Sequence, residues 1–197
     1  TDSGAAPAGA RDLSDLLTCD DFEAAASAVL PQAAYDYYRS GADAKRTVRN
    51  NLAAYGRWRI WPRILRNVSH VNTRLTLLGA DLAAPILVAP TAYHRLAHPD
   101  GERATAQGAA AAGALLCVST LATTVLEEVA AASSGPKWFQ LYVHRDRGFT
   151  RSLVERAATA GYQALALTVD TPLLGRRLRD ERNRSALPPG LVMANPV

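Results

Sequence analysis

Apolar residues recur at helical spacing in the first third of the chain. Residues 20–29 and 31–40 carry apolar side chains three to four positions apart, among them Phe22, Ala26 and Leu30. A third helix is predicted after Asp43, with the polar run of residues 45–51 as its solvated face. Residues 1–11 are small and polar with no long apolar run, so residues 1–19 are interpreted as a disordered or irregular leader rather than a signal peptide.

Short segments rich in β-forming residues follow the predicted helices. Residues 58–61 and 74–82 predict two strands that form a capping hairpin. Residues 20–83 are therefore expected to be a helical entry segment closed by this hairpin.

The remainder of the chain alternates between apolar runs and alanine-rich helical stretches. The runs occupy residues 85–90, 115–119, 138–143 and 164–169, and helices are expected over residues 101–112, 124–132 and 150–160. Nearly continuous apolar strands separated by helices are typical of parallel βαβ units with right-handed crossovers. Residues 84–197 are thus predicted to contain four such units.

Two parallel architectures compete, the doubly wound sheet and the closed barrel. A nucleotide-binding sheet usually carries GxGxxG or GxxxxGK[ST] after its first strand, and the sequence contains neither motif. Each apolar run instead ends near polar residues, and the strand ends of a (β/α)8 barrel all meet at one face. The α/β fold is therefore predicted to be the first half of a TIM barrel.

Composition and charge exclude several classes of function. The 22 basic residues include only two lysines and are spread along the chain, so the net charge of +4 does not indicate nucleic-acid binding. Cys19 and Cys117 lie far apart, which argues against a disulfide framework or a zinc site and favours a reducing, cytoplasmic compartment. Residues 104–126 carry no charge, but a buried helix and a buried strand explain them better than a membrane span.

Four segments resemble a known family. They are YDYYRSGAD (residues 35–43), APTAYHRLAHPDGE (89–102), WFQLYVHRD (138–146) and ALTVDTPLLGRRLRDERN (166–183). In order and spacing they are similar to the FMN-dependent 2-hydroxy-acid oxidases and dehydrogenases, the glycolate oxidase-like family, from about residue 20 onward. The resemblance implies FMN as cofactor and oxidation of an (S)-2-hydroxy acid to a 2-oxo acid, with oxygen as acceptor and hydrogen peroxide as product.

The same resemblance implies which residues hold the flavin. The backbone of Pro90, Thr91 and Ala92 would lie along the flavin ring, and three polar side chains would bind its polar edge: Ser119, Gln140 and Thr168. Fixed donors at that edge orient a flavin and tune its potential. Taken singly, each of the three would more simply be interpreted as capping a strand end.

The implied catalytic residues are Tyr37, Tyr142, Asp170 and Arg177. The two tyrosines would bind the substrate carboxylate and polarise the reacting oxygen, and Asp170 would stabilise the protonated form of a catalytic histidine. Arg177 would reach the substrate carboxylate. Without the resemblance, the tyrosine cluster would be interpreted as helix packing and Asp170 as a helix cap. His94 and His98 are not interpreted as metal ligands, because Pro99 interrupts the helix that their spacing would need.

Two further features concern the substrate. Leu121 replaces the bulky aromatic of glycolate-oxidising members, and Tyr93 adds an aromatic wall, so a larger acid is expected. The segments AYHRLAHPDGE and GYQALALTVDTP are most similar to those of hydroxymandelate oxidases. The alternatives are a non-catalytic half-barrel binding module and another FMN- or phosphate-binding barrel, such as an isomerase.

A closed barrel takes about 250 residues and eight strands, twice the number of strands found in this sequence. The chain is therefore expected to be the N-terminal part of a cleaved, split or longer protein. The resemblance places the base histidine, a further arginine, a lysine beside the flavin and the phosphate-binding loops in a second segment. It also implies a homo-oligomer, a tetramer.

Overall fold

Three helices precede the first strand of the computed structural model, which describes residues 13–170, 172–184 and 187–195. After a short 3-10 turn at Leu13–Asp15 come α1 (Cys19–Val29), α2 (Gln32–Arg39) and α3 (Arg46–Tyr55). Helix α1 begins with a capping box, in which the Thr18 hydroxyl accepts from the amide of Asp21 and the Asp21 carboxylate accepts from the amide of Thr18. Most of the expected leader, residues 1–12, lies outside the described residues.

A two-stranded antiparallel hairpin follows, made of β1 (Leu75–Leu77) and β2 (Ala80–Leu82). Leu78 and Gly79 form its turn at φ values of 47° and 81°, the left-handed region that a two-residue hairpin turn of this kind requires. The sequence prediction was therefore wrong in one respect, because both strands lie within residues 74–82. Within the described part of the chain, residues 58–61 form no strand: their side chains are exposed and no neighbouring strand satisfies their backbone.

A four-stranded parallel sheet occupies the second half of the chain. Its strands, in spatial and chain order, are β3 (Leu87–Val88), β4 (Leu115–Ser119), β5 (Lys137–Leu141) and β6 (Ala164–Leu167). The connections carry a 3-10 turn at His94–Leu96 and the helices α4 (Gly101–Ala111), α5 (Leu126–Ala131) and α6 (Arg147–Thr159); α7 (Leu178–Arg182) follows β6. The predicted α/β fold with a parallel sheet is confirmed.

The main core lies between one face of this sheet and helices α4 to α6. Phe139 and Val118 on the strands pack with Leu126, Val129 and Leu153 on the helices, and all are at most 2% exposed. A smaller cluster joins the hairpin to the sheet through Ala80, Leu82 and Leu115. Burying this apolar surface stabilises the strand positions, and so it fixes where their carboxyl ends lie.

The uncharged stretch over residues 104–126 contains most of α4, a turn and the fully buried β4. Gly113 makes the turn at a φ of +63°, and a Cβ there would lie 2.8 Å from the Cβ of Ala83. Only glycine meets both demands without strain. Among the described residues, no helix combines the length and apolar character needed to cross a membrane.

Candidate active site

Three polar side chains are joined in a row across the carboxyl ends of β4, β5 and β6. Ser119 pairs with Gln140 in the strand register, and its hydroxyl donates to Gln140 Oε1 at 3.3 Å. Gln140 Nε2 donates to Thr168 Oγ1 at 2.8 Å. Ser119 and Gln140 are buried, and Thr168 is half-buried. The structure therefore brings together the three side chains predicted to bind the flavin edge.

Thr120 holds this row in place from the β4 side. Its amide donates to Gln140 Oε1 at 3.1 Å, and its hydroxyl donates to the Gln140 carbonyl at 2.6 Å. The same hydroxyl accepts from the amide of Tyr142 at 3.2 Å. Because the Gln140 amide group is bonded at both its oxygen and its nitrogen, its orientation is fixed, and the backbone of Tyr142 is tied to the same group of bonds.

The backbone after β3 is anchored at Tyr93. This residue adopts a left-handed conformation, with a φ of 61°. Its amide donates to the Leu121 carbonyl at 3.2 Å, and its own carbonyl accepts from the Tyr38 hydroxyl at 2.7 Å. Left-handed backbone is costly for a bulky residue and persists where surrounding contacts enforce it. Just before this anchor, Pro90 and Thr91 are exposed and Ala92 is half-buried, so the peptide groups predicted to face the flavin lie near the surface.

A cleft with a volume of about 870 Å³ contains three of the four predicted catalytic residues, Tyr37, Tyr142 and Arg177. The guanidinium carbon of Arg177 lies 4.5 Å from the ring centroid of Tyr37, a cation–π contact. The rings of Tyr37 and Tyr93 lie 5.6 Å apart between centroids. Tyr93 and Leu121, expected to shape the substrate pocket, also line the cleft.

Asp170 stands apart from this group. It is exposed, lies two residues beyond Thr168, and is not one of the described residues that line the cleft. Its assignment as partner of a histidine stays a prediction.

Burial keeps two phenols of the cleft, those of Tyr37 and Tyr93, protonated. Burial raises the pKa of Tyr37, although the nearby Arg177 opposes the shift. Burial also raises the pKa of Tyr93, again against Arg177. Both hydroxyls are therefore hydrogen-bond donors at neutral pH, and a positive guanidinium lies beside one of them. These donors can bind a carboxylate, although Asp180, which lines the same cleft, already pairs with Arg177 at 2.7 Å.

A buried carboxylate that sequence reasoning missed links two of the loops. Glu102, at the start of α4, is 1% exposed. Oε1 accepts from the amides of His94 at 3.2 Å and Thr123 at 2.8 Å, and Oε2 accepts from the hydroxyls of Thr123 and Thr124, both at 2.8 Å. Burial alone would raise the pKa of Glu102, but these hydrogen bonds outweigh it and the pKa is lowered. The ionised side chain thus ties the loop after β3 to the loop after β4.

Comparison with known proteins identifies the family. Residues 26–197 match the FMN-dependent dehydrogenase family. The chain therefore belongs to that family.

The similar proteins include several 2-hydroxy-acid oxidases. An L-lactate oxidase of Nostoc sp. is 49% identical over 187 residues, which cover 93% of this chain and 51% of that protein. Glycolate oxidase 1 of Zea mays is 48% identical, with 93% and 50% covered, and 2-hydroxyacid oxidase 1 of Homo sapiens is 46% identical, with 91% and 49% covered. The chain thus spans about half the length of the curated relatives it matches.

The fold of this chain is similar to that of part of mandelate oxidase in solved structures. One, with (S)-4-hydroxymandelic acid, matches with a TM-score of 0.87 and 43% identity over 89% of this chain and 49% of that one. A mandelate oxidase variant solved with an FMN adduct matches with a TM-score of 0.86 and 43% identity over 89% of this chain and 53% of that one.

Proposed function

We propose that the protein to which this chain contributes binds FMN and oxidises an (S)-2-hydroxy acid to the 2-oxo acid, with oxygen as acceptor and hydrogen peroxide as product. The observation that carries the proposal is the hydrogen-bonded row of Ser119, Gln140 and Thr168 at the same edge of the sheet as Tyr142, which lines a cleft containing Tyr37 and Arg177. Membership of the FMN-dependent family supports it.

The donor set fits the polar edge of a flavin. That edge alternates carbonyl acceptors with an N–H donor, so it needs both donors and acceptors held still. Because Thr168 Oγ1 accepts from Gln140, its hydroxyl hydrogen is directed elsewhere and can donate to a ligand. Ser119, Gln140 and Thr168 would hold this edge, and the near-surface peptides of Pro90, Thr91 and Ala92 would lie against the ring.

The side chains of the cleft bind and orient the substrate. The guanidinium of Arg177 and the protonated phenol of Tyr37 bind its carboxylate, and Tyr142 donates to the reacting hydroxyl oxygen. Asp170 stabilises the positive charge of a histidine, supplied by the rest of the protein, that takes the hydroxyl proton. When bound, FMN supplies the acceptor for the hydrogen on the substrate's Cα.

Exposed apolar side chains on β6 support the proposal that further βα units complete a barrel in which residues 84–197 form the first four. Leu165 and Leu167 are 44% and 55% exposed. In the strand register they pair with Phe139 and Leu141, both buried in the main core. A parallel strand normally has both faces covered, so these leucines are expected to be covered by a further layer of structure.

Homo-oligomerisation to a tetramer is proposed on the family resemblance. Intact mass and oligomeric state of the purified protein test both points.

Flavin content and its response to substrate test the function. The purified protein is expected to be yellow, or to become so with FMN, and its visible absorption bands should bleach anaerobically on adding a 2-hydroxy acid. A colourless protein that FMN cannot reconstitute would support a non-catalytic binding module instead. Retained flavin that no 2-hydroxy acid bleaches would indicate a different FMN-dependent reaction, such as an isomerisation.

The cleft walls predict a preference for large, aromatic hydroxy acids. Leu121 and Tyr93 both line the cleft, and leucine leaves more room than a bulky aromatic at that position. We expect kcat/KM for mandelate or 4-hydroxymandelate to exceed that for glycolate and lactate. Leu121→Trp should reduce kcat/KM for the aromatic acids at least tenfold, the scale of a lost hydrophobic fit of about 1.4 kcal/mol, and change glycolate oxidation less.

A matched control is Leu52→Trp, at an exposed position of α3. This substitution should leave the ratio of the two kcat/KM values unchanged. A wild-type preference for glycolate would contradict the substrate assignment.

A further inference from the structure

We propose that Asp36 is a positioning residue of the cleft, whose carboxylate clasps Arg179 and Asn183 and thereby holds α7 against α2 with Arg177 across the ring of Tyr37. The proposal rests on the proposed function for the role of Arg177. The hydrogen bonds of Asp36 with Arg179 and Asn183, called the clasp below, can be tested separately from the proposed function.

The geometry of the clasp uses both oxygens of one carboxylate. Asp36 is 8% exposed; its Oδ1 accepts from Arg179 Nη1 at 2.5 Å and its Oδ2 from Asn183 Nδ2 at 2.9 Å. The hydrogen bond from Asn183, with Arg179 acting in the same direction, lowers the pKa of Asp36 although burial opposes the shift. The carboxylate is therefore ionised at neutral pH, and its bonds are of the charge-assisted kind.

Helix α7 depends on such contacts because its own packing stabilises it little. It is five residues long, and none of its residues is buried. An isolated helix of this length is not stable in water, because its nucleation cost is not recovered. Its attachments to the N-terminal part of the chain include the clasp, a backbone hydrogen bond of 2.9 Å from the amide of Asp43 to the carbonyl of Arg176, and the contact of Arg177 with the Tyr37 ring.

Two residues of the cleft lie close in sequence to residues of the clasp. Tyr37 follows Asp36 on α2, and Arg177 precedes Arg179 by two positions. Arg177 also pairs with Asp180 of α7 at 2.7 Å, so its guanidinium is carried with the helix. Docking α7 on Asp36 therefore brings Arg177 to within 4.5 Å of the Tyr37 ring centroid. Loss of the clasp would release the arginine and leave the phenol in place.

Limited proteolysis tests the clasp without reference to activity. In the complete FMN-loaded protein, Asp36→Asn is expected to raise the rate of tryptic cleavage after Arg177 about tenfold, because α7 detaches more often. The matched control is Glu181→Gln, which removes the exposed ion pair of 2.7 Å between Glu181 on α7 and Arg176, which precedes the helix. Exposed pairs contribute little, so the control should cleave at the wild-type rate. Equal protection in Asp36→Asn and wild type would overturn the clasp.

Substrate binding tests the positioning role. Asp36→Asn should raise the KM for a 2-hydroxy acid, and the Kd for its 2-oxo acid product, about tenfold, with the maximal rate of flavin reduction changed less than threefold. Arg179→Gln should do the same, and the double variant should be no worse than either single one. Losses of affinity that add in the double variant would refute the positioning role. So would a KM that stays unchanged although protection from trypsin is lost. If Asp36→Asn does not fold, Arg179→Gln and Asn183→Ala replace it at less buried positions. Altered proteolysis in a protein inactive on hydroxy acids would support the clasp and reject only the proposed function.

Discussion

Asp170→Asn is expected to slow flavin reduction by substrate roughly 10²-fold or more while FMN stays bound. An ionised carboxylate beside a histidine stabilises the imidazolium, so it raises the basicity of the ring that takes the hydroxyl proton. The amide keeps the size of the side chain and loses that charge. Asp170 is exposed and lies past the end of β6, so the substitution should cost little folding stability. Anaerobic rapid mixing of the FMN-loaded protein with substrate measures the rate.

Asp146→Asn is a matched control for this prediction. Asp146 also follows a strand of the sheet, and its carboxylate caps α6 by accepting from the amide of Phe149 at 3.0 Å. Asparagine caps helices as well as aspartate does, so the control should reduce its flavin at the wild-type rate. Near-normal reduction in Asp170→Asn as well would reject the role of Asp170, and loss of FMN would show that it acts on the cofactor site instead.

The sequence predicted the polar row at the strand ends because that arrangement follows from periodicity. Parallel strands separated by helices place their carboxyl ends at one edge, so polar side chains at these ends were expected to converge there, and the family resemblance assigned Ser119, Gln140 and Thr168 to the flavin. The strand register then brought Ser119 opposite Gln140. The pairing of Arg177 with Tyr37 had no such local signal. These residues lie far apart in the chain, and only the family resemblance placed them in one site.

Two carboxylates could not be assigned from the sequence because their partners come from other elements. Asp36 is one polar residue in a tyrosine-rich helix, and its ligands Arg179 and Asn183 lie more than a hundred residues away. Glu102 looks like an ordinary acidic residue in the first turn of a helix. In both cases the residue type is common at protein surfaces. Its structural role depends on burial, which the sequence does not show.

The incorrect strand at residues 58–61 has the opposite cause. Its two tryptophans and one isoleucine have the local preference for a strand, but local preference does not provide a pairing partner. Trp58 and Ile60 are 81% and 95% exposed, so packing does not provide one either.

Glu102→Leu is expected to lower the free energy of unfolding by about 4 kcal/mol. The leucine is close in volume, but it leaves the amides of His94 and Thr123 without their acceptor, and each unsatisfied buried group costs about 1–3 kcal/mol. Glu102→Gln keeps one oxygen for these amides and loses the charge, so it should cost less, about 1–2 kcal/mol. Because both substitutions loosen the link between the loops after β3 and β4, FMN affinity should fall in the same order.

Thermal unfolding measures the series, with an expected fall in Tm on the order of 10 °C for Glu102→Leu. Glu155→Gln, at an exposed position of α6, is the control and should change stability by less than about 0.5 kcal/mol. Since the pKa of Glu102 is lowered in the folded protein, its contribution is present above the ordinary glutamate pKa of about 4.3 and is lost as the pH falls through the folded value. The difference between wild type and Glu102→Gln should therefore be full at pH 7 and shrink below pH ~4. A difference that stays constant down to pH ~3 would mean that the ionisation of Glu102 contributes nothing, and that the difference comes from replacing one acceptor oxygen of the carboxyl group by an amide nitrogen.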